Sequence, residues 1–529
     1  MLTHNAPGRP GHTWVARVVP ALPWLAVAAA ALIRLGMVLR ADFPLGDGGL
    51  FFNMVQDLRR NHYSLPWTTT FNQAGIPFAY PPVGLYLTAA VADITRAPLL
   101  DVFRLLPTVI SLLVVAAYVP LARSLLGPGL KLTYAVAVFS LLPFSAYWLV
   151  MGGGTTRALG LLFAVLALWQ GHRFLADGRR RNGVAAGALL ALTAGSHPSM
   201  ALFAGCSLFC LALGQRPRLR ALGRAAVAGG VAGLLSAPWW AMVITRYGLP
   251  TLLSASGTSL PLSSGLMRLA ILVWTGEPWF PVLTGLALLG TLVCLRERNY
   301  LLPAWLVLLF ALDPRHAPTT ATVPLGILAG VGVVDFLLPG LSARAPGQRD
   351  TAGTPLPAGK LAVFVLVFAL EYGAACAANS LSAVRSLTLA QRAAMAWISQ
   401  GTPAAARFLL VSPGEIGIHW TNDWFPALTG RVSVTTYQGY EWLDKNLFLD
   451  RWSWSERAQQ CATADGACLT DLGRAQQLDF GYVYISKPQT AYDTDATAAL
   501  RQALARDPAF EMLYDGPGAQ VYHLPGATE

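Results

Sequence analysis

Charged side chains are scarce in this chain of 529 residues: Asp, Glu, Lys and Arg together make 12%, while 54% of residues are hydrophobic. Soluble domains carry roughly 25% charged residues, so this balance excludes an ordinary soluble protein and identifies an integral membrane protein. Low-complexity tracts are also missing. The 50 Gly and 36 Pro are dispersed through apolar segments, which excludes collagen-like and disordered readings. Cysteine is sparse: four of six, Cys206, Cys210, Cys294 and Cys376, lie in apolar segments where a thiol packs as a small hydrophobe. A zinc site would need further ligands beside Cys461 and Cys468, and none is evident nearby. No internal repeat supports a transporter built from paired halves.

What the sequence does have is a series of apolar runs punctuated by arginines. Residues 21–39 are apolar apart from Arg34 and follow a basic leader, residues 1–20, carrying Arg9 and Arg17. No small-residue cleavage site follows, so this run reads as a retained anchor with a cytoplasmic N-terminus. Further spans are expected near 105–125, 131–150, 158–175, 183–196, 198–214, 225–245, 279–295, 300–312, 317–338 and 360–380, about eleven in all. An odd number places the C-terminus outside. Arg123 and Lys131, Arg173 with Arg179, Arg180 and Arg181, Arg216 with Arg218, Arg220 and Arg224, Arg296 with Arg298, and Arg344 with Arg349 and Lys360 then all face the cytoplasm. The net charge of +11 therefore reflects orientation and calls for no nucleic-acid partner. Two apolar pieces, 81–92 and 262–276, are too short to span. They read as interfacial or re-entrant helices bordering an outward-facing cavity.

From about residue 385 polar residues become common, and β-type runs at 407–412, 432–438, 481–486 and 519–524 alternate with helical stretches such as 387–400 and 498–505. The expected organisation is a polytopic α-helical transmembrane domain over 21–384, with a first external loop at 41–80, and a small extracytoplasmic α/β domain over 385–529. Cys461 and Cys468 close a short loop in a compartment that permits oxidation, and a disulfide is expected between them.

Polar residues collect at the outer edge of the spans. Asp47 stands between Gly46 and Gly48-Gly49 directly after the first span, where glycines let a ligand approach a carboxylate closely. The same carboxylate can instead cap the helix that follows. Gly152-Gly153-Gly154-Thr155-Thr156-Arg157 opens one later span, Ser196-His197-Pro198 forms a hairpin between two short spans, and Asp313-Pro314-Arg315-His316 opens another. Each has a structural alternative: Arg157 can snorkel to headgroups, His197 can bond within a helix break, and Arg315 can pair with Asp313. Together they offer planar guanidinium contacts and free backbone N–H groups to a phosphate.

The order of these features resembles a known family. A retained first span, an acidic residue before a juxtamembrane helix, Tyr80-Pro81-Pro82, Arg104-Leu105-Leu106-Pro107 and an arginine ahead of a Pro-containing late span (Arg315, Pro324) are similar to the GT-C-fold polyprenyl-phosphate-dependent glycosyltransferases. That group includes protein mannosyltransferases, aminoarabinose transferases and the catalytic subunits of oligosaccharyltransferases. The resemblance covers most of residues 20–380, and the segment from Ala396 to Pro403 is similar to accessory domains appended in this superfamily. It implies a multi-pass enzyme of the cell (inner or plasma) membrane. Its reaction would be inverting transfer of a sugar from a polyprenyl-phosphate donor to a glycan, lipid or protein acceptor on the outer face. Asp47 would contact the acceptor as general base. Arg157 and Arg315 would hold the phosphate, with Thr155, His316 and His197 as further sugar or phosphate contacts and Asn72, Tyr80 and Trp67 along the sugar pocket. The lipid-linked sugar is the donor substrate, and no cofactor or metal ligand is expected. The sequence departs from the family at Gly48, where a second acidic residue is usual, and lacks an Asp-x-Asp motif in the second external loop, where Gly153 to Arg157 stand. Two other classes remain open: a transporter or flippase of a lipid-linked substrate, which should carry ionisable residues inside its spans, and a non-catalytic binding protein of the same fold.

Overall fold

The computed structural model describes residues 21–271, 274–342, 358–413, 419–488 and 494–525. The leader, Arg344 and Arg349 lie outside them. The chain is a multi-pass helical membrane protein: Leu22–Arg40, Leu99–Leu126, Gly154–Asp177, Arg218–Tyr247, Thr322–Leu341 and Gly359–Ser382 are long and apolar enough to cross a bilayer. Val83–Thr95, Leu130–Leu141, Pro198–Gly214, Val282–Arg296 and Leu301–Leu312 are shorter apolar helices. Prolines set several of these limits. The run expected at 131–150 leaves helical geometry at Leu142, whose extended backbone precedes Pro143, and Leu301–Leu312 ends ahead of Asp313-Pro314. The two pieces expected not to span form the helices Val83–Thr95 and Leu262–Ala270.

Arg34, the one charge in the first span, is fully buried and donates to the Ser111 and Ser140 carbonyls and to Ser145 Oγ at 2.9–3.1 Å. A guanidinium among helices is tolerated when oxygen acceptors surround it in this way. Small residues bring other helices together. A Cβ on Gly290 would lie 1.8 Å from the Leu328 carbonyl, so Val282–Arg296 and Thr322–Leu341 pack backbone to backbone.

Beyond Thr388, whose side chain and Gln391 cap each other reciprocally, Leu389–Gly401 leads into a five-stranded sheet. Its strands are β1 (Arg407–Val411), β2 (Val432–Ser433), β3 (Tyr482–Ser486), β4 (Glu511–Asp515) and β5 (Ala519–His523), in the order β2-β1-β3-β5-β4. β1 runs parallel to β2 and β3, while β5 is antiparallel to β3 and β4. The edge strand β4 was not expected, because it is largely exposed and lacks alternation. The run 432–438 pairs only over Val432–Ser433. Thr436 N–H donates to Ser433 Oγ and Thr436 Oγ to the Asn422 carbonyl, and these side-chain bonds replace the ladder and turn the chain away. Cys461 and Cys468 form a disulfide between the helices Lys445–Gln460 and Gly466–Gln476.

The first loop and the C-terminal sheet region share one hydrophobic cluster. Phe43, Leu50, Phe52 and Phe71 from the loop pack with Trp420, Trp424 and Phe425, so the loop is part of a packed body at one end of the helices.

Candidate functional site

Between this shared core and the helix ends lies a cavity of about 470 Å³. Six of the nine sequence-selected binding or catalytic residues line it: Asp47, Tyr80, Arg157, His197, Arg315 and His316. Asn72 and Thr155 do not. Asn72 is buried, donates to the Ser433 carbonyl and Tyr440 Oη and accepts from Ser433 N–H, so it fastens the first loop to the strand region. Thr155 bonds back to the Gly152 carbonyl in its own turn, as hydroxyls at helix starts do. Trp67 is also absent from the lining; it stands exposed beneath the Arg246 guanidinium, 4.8 Å from the ring centroid.

Glycine places Asp47. Gly46 (φ 58°) and Gly48 (φ 147°) occupy backbone regions that side chains disfavour, and a Cβ on Gly48 would meet the Trp424 ring at 2.9 Å. The Asp47 carbonyl accepts from Gly153 N–H at 2.9 Å, and its carboxylate approaches the same N–H at 3.3 Å. The glycine-rich turn thus meets Asp47 at the opening of Gly154–Asp177.

Asp47 does not cap the helix Gly49–Arg60. Asp423, from Trp420–Thr429, does: its carboxylate accepts from Gly48, Gly49 and Leu50 N–H at 2.6, 2.7 and 3.1 Å. Asp423 also lines the cavity and is the second carboxylate that the sequence around Asp47 lacks. Burial and then the neighbouring Asp47 push its pKa up to about 7, against the downward pull of the three N–H bonds. Sequence reading missed it because 375 residues separate it from Gly48. Glu441, with Asp313 a further carboxylate on the cavity wall, is raised by burial and drawn back down by its own backbone N–H and by Arg315. Asp57 is taken up structurally, accepting from Thr69 Oγ, Thr70 N–H and Thr70 Oγ.

Basic groups share the lining: Arg157, Arg315, His197 and His316. Arg157 lies over the Trp148 ring and donates to the Trp148 carbonyl at 3.0 Å, leaving its Nε without a hydrogen-bond partner among the described residues. His316 Nδ1 is 3.1 Å from both Asp313 carboxylate oxygens, so Asp313 pairs with His316 while Arg315 remains exposed at the cavity. The His197 and His316 rings are 5.5 Å apart, and Tyr80 Oη shares a 3.1 Å hydrogen bond with Thr156 Oγ. Arg268 donates to the Pro314 carbonyl at 2.9 Å, so the short helix Leu262–Ala270 buttresses the turn that presents Arg315. Leu202, Trp240 and Leu252 add an apolar stretch to the lining. Among the described residues no three His, Cys, Asp or Glu side chains converge as metal ligands, and Asp423 already spends its lone pairs on backbone donors.

The fold of the chain has parallels among solved structures. The chain is similar to archaeal oligosaccharyltransferase AglB from Archaeoglobus fulgidus, in complex with an inhibitory peptide and a dolichol-phosphate (TM-score 0.54, 13% identity, 89% of this chain and 70% of that one). It is similar to ArnT from Cupriavidus metallidurans bound to undecaprenyl phosphate (TM-score 0.51, 14% identity, 98% and 99%). It is also similar to the arabinofuranosyltransferase AftD from Mycobacteria (TM-score 0.53, 15% identity, 95% and 40%). No family model matches the sequence, and no curated protein matches it. The protein therefore has the GT-C fold of polyprenyl-phosphate-dependent membrane glycosyltransferases.

Proposed function

We propose that the protein is a membrane glycosyltransferase that takes a sugar from a polyprenyl-phosphate donor and transfers it to an acceptor on the outer face of the membrane. One observation carries this reading: a single cavity gathers Asp47, Arg157, Arg315 and His316 from segments far apart in the chain. Asp47 removes the proton of the acceptor hydroxyl as its oxygen attacks the anomeric carbon from the face opposite the phosphate, inverting that centre. The C–O bond to the phosphate breaks, and the departing oxyanion is stabilised by the guanidinium groups of Arg157 and Arg315. The apolar stretch at Leu202, Trp240 and Leu252 suits the first isoprene units of the carrier. Asp423 answers the missing neighbour of Asp47, whose absence left the non-catalytic alternative open. The transporter alternative loses support because Arg34, the charge inside the first span, is held by backbone and hydroxyl oxygens.

Arg315 separates specific phosphate binding from snorkelling. Arg315→Lys is expected to weaken undecaprenyl phosphate binding about tenfold, since an ammonium cannot reproduce the bidentate fork. Yield and thermal stability should hold. Arg268 is unsuited as the comparison because it braces the same turn; Arg59, paired with Asp93 and absent from the cavity lining, serves instead. Equal binding by Arg315→Lys and Arg59→Lys would remove Arg315 from the phosphate site.

The topology that goes with this function has about eleven crossings, a cytoplasmic N-terminus and the sheet region outside, supported by the arginine distribution. Membrane-impermeant thiol labelling of intact cells is expected to reach Cys461 and Cys468 only after reduction. Cys461 is buried and Cys468 part-exposed, so failure of Cys468 to label after reduction would overturn the orientation.

A further inference from the structure

Three polar side-chain atoms on one wall of the cavity, Gln438 Oε1, Glu441 Oε2 and Trp442 Nε1, are buried and have no hydrogen-bond partner among the described residues. Such groups are rare in folded proteins and require an explanation. Here all three sit in one short stretch that faces the same space as Asp47 and Asp423.

This stretch is held firmly. Ser254 Oγ donates to the Glu441 carbonyl at 2.8 Å, and Tyr440 is bonded by Asn72 and covered by the Arg451 guanidinium at 3.9 Å. Gly439 (φ 89°) makes the turn, and a Cβ there would meet Ile76 Cδ1 at 2.8 Å. The backbone that carries these side chains is therefore fixed before any ligand arrives, which lowers the entropic cost of binding.

Their chemistry specifies what fits. Gln438 Oε1 and Glu441 Oε2 accept, and Trp442 Nε1–H donates, beside the aromatic surfaces of Tyr437, Trp442 and Phe448. Two acceptors, one donor and apolar ring faces match a sugar ring, whose hydroxyls both donate and accept and whose C–H face is apolar. We propose that residues 437–442 form a saccharide subsite that selects a neutral, hydroxyl-rich glycosyl ring and rejects a uronic acid. The selection against an anion follows from four carboxylates, Asp47, Asp313, Asp423 and Glu441, on the lining. Glu441 and Arg315 line the same cavity, so this stretch and the proposed phosphate position share one space, as a sugar bonded to that phosphate requires. This assignment deepens the glycosyltransferase reading and rests on it for the identity of the ring as substrate.

The test uses the full chain in nanodiscs, with methyl α-glucoside and methyl α-glucuronide titrated by saturation-transfer NMR and undecaprenyl phosphate binding measured on the same samples. The wild type is expected to bind the glucoside about tenfold or more tighter than the glucuronide. Glu441→Gln, which keeps shape and loses charge, should narrow that ratio to about threefold, and Trp442→Phe should weaken the glucoside roughly three- to tenfold by removing one donor. Should Glu441→Gln fail to fold, Gln438→Leu, with its expected loss of glucoside affinity, decides in its place. Absence of glucoside binding, equal affinity for both glycosides, or variants that leave the ratio and affinity unchanged would overturn the subsite. Undecaprenyl phosphate binding with no glycoside discrimination overturns the subsite alone. Glycoside discrimination without undecaprenyl phosphate binding upholds the subsite and overturns the glycosyltransferase reading.

Discussion

Asp47→Asn is expected to lower turnover about 10²–10⁴-fold, the usual contribution of a positioned general base. The substitution preserves shape, and the amide oxygen can still meet Gly153 N–H, the only hydrogen-bond donor to the carboxylate among the described residues. The glycines on either side and the bond from Gly153 N–H to the Asp47 carbonyl are untouched, so membrane insertion and melting temperature should match the wild type. The measurement is single-turnover transfer from a polyprenyl-phosphate sugar by purified protein, with melting followed in parallel. Near wild-type turnover would exclude Asp47 as the base. Asp57 would not replace it, since its oxygens are already occupied by Thr69 and Thr70.

Asp423→Ala should produce the largest loss of stability. The side chain is 2% exposed and its removal leaves the N–H groups of Gly48, Gly49 and Leu50 without their acceptor. Unsatisfied buried donors cost about 1–3 kcal/mol each, so a loss of about 3 kcal/mol or more is expected, read as a lowered melting temperature of the full protein. A change within experimental error would mean that the cap is dispensable. Asp423 also carries a pH signature. Its folded-state pKa, about 7, lies above the ordinary 3.8, so the stability linked to its proton is fully present below about 3.8 and is lost as pH rises through about 7. The melting-temperature gap between the wild type and Asp423→Asn should therefore shift against the wild type from pH 5 to pH 8. A gap independent of pH would show that Asp423 does not titrate in this range.

The membrane half was legible because a bilayer imposes a single demand, sustained apolarity, that a linear pattern records directly. Where proline interrupts an apolar run, as at Pro143, hydropathy alone overstated the helix. Residues beside span ends, such as Asp47, Arg157, His197 and Arg315, could be placed near one another because the membrane constrains where those ends lie. The partners of these residues from the sheet region could not. Asp423 lies in a helix interrupted by Pro426, Glu441 follows a glycine turn, and each reaches the cavity through tertiary packing that leaves no local period. Asn72 illustrates the converse: its place in a polar loop suggested ligand contact, yet its amide joins two parts of the chain.

The carboxylate that closes the start of the Gly49–Arg60 helix has a consequence in time. The ribosome delivers Gly48 some 375 residues before Asp423, and the aromatic residues that cover Phe43 and Phe52 arrive equally late. At the elongation rates typical of cells, about 5–20 residues per second, that interval is tens of seconds. Throughout it the first loop has left the membrane without the acceptor and the apolar cover that give it its final form. The cavity therefore takes its form only after the segment from Asp423 to Phe448 has been made, and no ordering of the earlier helices can assemble that part of its wall beforehand.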